Sequence, residues 1–212
     1  MRLSASNLGL LAKPCLFALL ALPGAWLIYA VIGEANAPGS QLGADPVAVV
    51  VDFLGEWGLR ILLLTLLVSP LRRLSGWSWL ARVRRMVGLF AFAYLSLHFL
   101  AFVALIVGWS PAALLVEIVD RPYITLGFVA LLLLLPLAIT STSGWQRRLR
   151  QRWVKLHKLV FVAVGFGLLH LLWLTKDGYG VLSLYLLIYA LALAERWWHA
   201  RPARLSKKVA SG

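Results

Sequence analysis

The chain is poor in charge and nearly without cysteine. Only 14% of its 212 residues are charged, and 8 Asp and Glu stand against 21 Lys and Arg. With 61% hydrophobic residues, a water-soluble domain would expose large apolar patches, so that class is excluded. The single cysteine, Cys15, lies inside an apolar run and reads as a buried apolar residue. Its isolation rules out a disulfide framework, a Cys-rich metal site and a covalent C-x-x-C-H haem attachment. No Gly-rich dinucleotide fingerprint, lipidation motif, soluble appendage, internal repeat or low-complexity segment stands out.

What is present is a succession of apolar runs. Hydropathy broken by charge gives spans near 10–32, 54–68, 86–107, 122–140, 153–174 and 180–194. The run from Leu8 to Ile32 is too long for a signal peptide, and five more spans follow it. The second span carries the most charge, because Asp52, Glu56 and Arg60 precede or enter it; Glu56 and Arg60 can pair at i, i+4 on one helical face. The expected fold is therefore an all-α polytopic membrane protein of about six transmembrane helices, with residues 1–212 forming one domain.

A net charge of +13 would suggest nucleic acid if the cations formed one soluble patch, but they sit between the spans. Arg2, Lys13, Arg72, Arg73, Arg82, Arg84, Arg85, the run from Arg147 to Lys158 and the tail from Arg196 to Lys208 all fall on one side. Glu34, Asp45, Asp52, Glu56, Glu117, Asp120 and Asp177 fall on the other, accompanied by Arg60, Arg121 and Lys176. The positive-inside rule makes the basic side cytoplasmic and places both termini there. Tryptophans such as Trp77, Trp79, Trp109, Trp153 and Trp173 lie near span ends, where amphipathic rings anchor at headgroup level.

Ionisable groups within spans are costly unless paired, solvated or bound, so histidines are the first candidates for chemistry. His98 in the third span and His170 in the fifth each lie roughly 20 Å outward from their basic flanks, Arg85 and Lys155. The two spans run in the same direction, so imidazoles at one level can approach a metal from opposite sides, as bis-histidine ligation of a b-type haem requires. A plain interhelical hydrogen bond is the other role open to a membrane histidine. His157 lies 13 residues before His170, roughly 20 Å along the helix, and cannot share its iron. The corresponding positions before His98 are Arg84 and Arg85, so the inner level has half a ligand set. His157 is open to a second haem with an unusual ligand, another cofactor or orientation of a propionate. His199, after Trp197 and Trp198, reads as an interfacial or solvated residue. The arginines of the 146–158 loop, with Arg82, Arg84 and Arg85, serve either as an orientation signal touching anionic lipid or as a cradle for propionates or a flavin phosphate.

Several short segments, in order, carry a resemblance across nearly the whole chain: Leu42-Gly43-Ala44-Asp45-Pro46, Arg84-Arg85-Met86-Val87-Gly88-Leu89 leading to His98, and Arg121-Pro122-Tyr123-Ile124-Thr125-Leu126-Gly127. They continue with Thr140-Ser141-Thr142, Arg152-Trp153 leading to His157, and His170 with Trp173. In these the chain resembles the MsrQ (YedZ) family, haem-binding membrane subunits of the MsrPQ methionine sulfoxide reductase system, within the ferric-reductase-like transmembrane group. The resemblance implies a bacterial inner-membrane electron-transfer subunit, itself non-catalytic, with haem b and FMN as cofactors. It implies haem-linked roles for His98, His157 and His170, with Phe161 standing where some relatives have Tyr. Cofactor contacts from Arg84, Arg85 and Arg152 are expected at the basic rim. Electrons would come from a cytoplasmic flavoprotein or the quinone pool and leave to the periplasmic molybdoenzyme MsrP. That partner would dock on acidic loops 33–53, 108–121 and 175–179, and its surface would be basic. A stand-alone quinol or ferric reductase cytochrome is the nearest alternative. A small transporter or scaffold is a weaker one, because no acidic residue lies deep in the last four spans.

Overall fold

The computed structural model describes the backbone of residues 5–176 and 178–209 and the side chains of 12–176 and 178–199. Arg2, Asp177 and the basic side chains after His199 lie outside the described residues. In a bilayer every backbone N–H needs an internal partner, and this chain answers with helices throughout. In order they are α1 (Ala5–Asn36), α2 (Pro46–Ser75), α3 (Trp79–Phe102, running on as a π-helical turn to Val107), α4 (Pro111–Asp120), α5 (Pro122–Ile139), α6 (Ser143–Leu149), α7 (Gln151–Leu156), α8 (Leu159–Leu174) and α9 (Gly180–Val209).

Five stretches are long and apolar enough to cross a membrane: Ala12–Asn36, Trp79–Val107, Pro122–Ile139, Gln151–Leu174 and Gly180–His199. The helix α2 is not among them, although its 30 residues reach about 45 Å. It is the charge-bearing rod of the bundle and carries more buried residues than any other helix, from Val51 to Val68. Among its charges, Arg60 pairs with Glu56, as the spacing predicts, and its Nε donates to the Tyr185 hydroxyl at 2.7 Å.

Two boundaries differ from the sequence expectation. Asp45 accepts from the Ala48 N–H at 3.0 Å and Pro46 occupies the first turn, so α2 starts eight residues before Leu54 and absorbs part of the expected outer loop. Ser110 and Pro111 repeat the device at 3.3 Å and turn most of 108–121 into α4. Leu115, Val116 and Val119 on α4 are exposed, as on a helix lying at an apolar boundary. Cys15 is exposed on α1 rather than buried; in a bilayer, an outward apolar residue satisfies the same composition.

Packing orders the bundle. His98 meets Val51 and Gly88 lies beside Thr65, so α3 runs antiparallel to α2; Tyr123 meets His170 and Thr140 meets Trp153, so α8 runs antiparallel to α5. The helix α1 is fastened to α3 by Tyr94, whose hydroxyl accepts from the Gly24 N–H at 2.7 Å and donates to the Leu20 carbonyl at 3.0 Å. The hydroxyl thus stands inside the i to i−4 ladder next to Pro23, a recognised cause of helix bending. Tyr94→Phe is expected to cost about 1–3 kcal/mol by leaving those groups unpaired, read as a lower unfolding temperature in detergent. An unchanged transition would mean that α1 closes its own ladder.

The α2–α3 and α5–α8 hairpins repeat one another, which the sequence reading did not detect. Val51 and Tyr123, Gly55 and Gly127, and His98 and His170 are equivalent in contact, and each pair is 72 residues apart. Leu62 and Leu134, and Ala91 and Ala163, are buried at the same offset. The repeat is one of contact positions rather than composition, so scattered identities conceal it.

Candidate functional site: a histidine pair and a basic cavity

The repeated hairpins bring His98 and His170 face to face. Their ring centres lie 6.3 Å apart with planes crossed at 74°. His98 Nδ1 lies 2.9 Å from the Val51 carbonyl, and His170 Nδ1 lies 2.6 Å from that of Tyr123. A carbonyl only accepts, so each ring carries its proton on Nδ1 and keeps the Nε2 lone pair for a metal. With ring centres 6.3 Å apart, a metal ion between the two rings would be held by His98 and His170 through their Nε2 lone pairs. No cluster of three or more His, Cys, Asp or Glu side chains suited to a metal occurs among the described residues.

At the other end of the bundle, a cavity of about 670 Å³ opens between α2, α3, α5, α7, α8 and α9, with Gln146 of α6 at its edge. Arg84 and Arg85 line it, as the sequence suggests, and Arg85 donates to Gln146 at 3.0 Å. His157 lines it too, stacked on Trp153 with ring centres 3.8 Å apart. Its Nδ1 lies 3.1 Å from the Trp153 carbonyl, and its buried Nε2 meets no hydrogen-bond partner. Arg152 is exposed and is not part of the lining. Sequence reasoning missed Arg72, Arg73, Arg196 and His199 as lining residues. The signal was available in the tail: Glu195, alone among cations, pairs with Arg73 and lies 3.5 Å from His199 Nε2. Arg196 instead stacks over Phe161 at 4.7 Å. The cavity does not include His98 or His170 in its walls, so the two levels expected from helical rise are separate places.

The acidic end carries less free charge than its composition suggests. Glu34 accepts from the backbone of Gly39, Gln41 and Leu42, Asp45 caps α2, and Glu117 pairs with Arg121 at 3.2 Å. Asp52 and Asp120 remain exposed.

A helical membrane bundle with two imidazoles converging from parallel helices defines a class, and comparison agrees: residues 54–168 match the ferric reductase like transmembrane component family. Within that class the chain belongs to the MsrQ family. It is 48% identical over 163 residues to the protein-methionine-sulfoxide reductase heme-binding subunit MsrQ of Xanthomonas campestris pv. campestris (strain 8004), covering 77% of this chain and 75% of that one. The MsrQ proteins of Xanthomonas oryzae pv. oryzae (strain MAFF 311018) and Ralstonia nicotianae are 46% identical over 166 residues and 45% over 168. Those alignments cover 78% and 77% of this chain, and 76% and 77% of the relatives. No solved structure matches.

Proposed function

We propose that this chain is the haem-binding electron-transfer subunit of a methionine sulfoxide reductase system, with one haem b ligated axially by His98 and His170. The observation that carries the reading is the 6.3 Å spacing of two rings whose Nδ1 protons are already committed to carbonyls. Bound haem supplies a one-electron carrier; the chain supplies neutral ligands, an apolar surround and a fixed orientation. In this reading the arginine-rich end faces the cytoplasm of a bacterial inner membrane. The donor, a flavoprotein or quinol, acts at the basic cavity, and the periplasmic partner MsrP docks near α4 and the 37–45 loop.

The cavity supports a donor-side role through its charge. Arg84 and Arg85 would hold a propionate or the phosphate of FMN by charge-assisted hydrogen bonds, and His157 offers a buried nitrogen to the same ligand. The arm that tests this half is Arg84→Ala, with His157→Ala beside it. Purified, haem-loaded protein is mixed anaerobically with reduced FMN or with a soluble hydroquinone, and haem reduction is followed by absorbance. Each variant is expected to keep its haem yet slow reduction about tenfold or more, the scale set by lost charged contacts. Wild-type rates in both variants would move donor entry elsewhere. A wild-type protein without haem would overturn the whole reading.

A further inference from the structure

The histidine pair depends on two glycines. A β-carbon at Gly55 would stand 2.9 Å from His98 Nδ1 and 3.0 Å from Cε1; one at Gly127 would stand 3.1 Å and 3.2 Å from the same atoms of His170. Each glycine sits four residues after the carbonyl that its histidine uses, Val51 or Tyr123. In an α-helix that residue donates its own N–H to the same carbonyl, and its β-carbon flanks the oxygen. Removing the β-carbon uncovers the second lone pair, so one oxygen can serve both the ladder and an imidazole. The device occurs twice, at the 72-residue offset of the repeated hairpins.

We infer that Gly55 and Gly127 are positioning residues, which seat His98 and His170 against backbone carbonyls and thereby fix the crossed ring planes and the electron-donating strength of the axial ligands. The inference rests on haem ligation by these histidines. A proton shared from Nδ1 to a carbonyl makes Nε2 a stronger donor and favours the oxidised metal. Crossed ligand planes leave the two iron orbitals of π symmetry nearly equal in energy. An oxidised low-spin haem held this way would give a highly anisotropic EPR signal with a large g maximum. A methyl group at either glycine pushes the ring off its carbonyl and turns its plane. The tighter contact at Gly55 makes that position the more sensitive one.

The test uses the full chain, purified with haem, as wild type, Gly55→Ala, Gly127→Ala and Gly88→Ala. Gly88 is the control, since its β-carbon would meet only Thr65 Cγ2, at an ordinary 3.7 Å. The two ligand-side variants are expected to lose haem affinity about tenfold or more, to shift the g maximum and to raise the reduction potential, whereas Gly88→Ala matches wild type. Should Gly55→Ala fail to fold, Gly127→Ala carries the test, because there the ring need give only a few tenths of an ångström. Native g maximum and potential in the folded ligand-side variants would overturn the inference while leaving the ligands in place. A wild type without a bis-imidazole low-spin signal, or the same signal persisting in His98→Ala, would instead remove the ligand assignment beneath it.

Discussion

His98→Ala and His170→Ala are each expected to abolish the low-spin haem spectrum, whereas His157→Ala keeps it. The reason lies in how little else could substitute. The two rings approach each other from α3 and α8, and the other described histidines, His157 and His199, line the separate cavity. On the proposed ligation, removing one imidazole would leave the haem with a single histidine. His157 belongs to the separate cavity at the basic end, so its loss alters that site and not the pair. Haem per chain and the reduced-minus-oxidised spectrum decide the matter for all three variants. Wild-type haem content with an unchanged spectrum in His98→Ala or His170→Ala would exclude them as the ligands. Loss of half the haem in His157→Ala would mean that the cavity holds a second one.

Much of this arrangement is legible in the sequence, because the bilayer makes hydropathy and charge almost literal statements about position. Counting residues from Arg85 and Lys155 placed His98 and His170 at one level, and they meet there. Arg85 and His157, 72 residues apart, occupy equivalent positions and line the same cavity, in keeping with the half ligand set read from the sequence. Hydropathy understates α2 because Asp52, Glu56 and Arg60 interrupt it, whereas in the fold Arg60 is held by Glu56 and by the Tyr185 hydroxyl, which hydropathy cannot register. The helix α4 was hidden in a loop although Ser110-Pro111 is a start signal, since a ten-residue helix needs a cap more than it needs periodicity. The carbonyl partners of the histidines were out of reach. They are backbone atoms 47 residues away, and only the glycines beside them leave a trace in the sequence.

The helix pair that holds His98 also sets the second large effect, at Gly58, one turn beyond Gly55. A β-carbon there would lie 2.7 Å from both Cγ and Cδ2 of Leu95, and 3.2 Å from the Leu95 backbone nitrogen. A flexible tip could swing aside, but Cγ is fixed by the rotamer and the nitrogen by the helix, so α2 and α3 must separate. Gly58→Ala is expected to destabilise the bundle by about 1–3 kcal/mol, the usual cost of overpacking. Leu95 and His98 are three residues apart and share a helix face, so the displacement carries to the ligand. Gly58→Ala should therefore lower the unfolding temperature in detergent and weaken haem retention together. Leu95→Ala in the same chain removes the obstructing atoms and should restore part of both in Gly58→Ala. If the single variant melts with wild type, or the second change restores nothing, close approach of α2 to α3 at Gly58 is not what holds His98 in place.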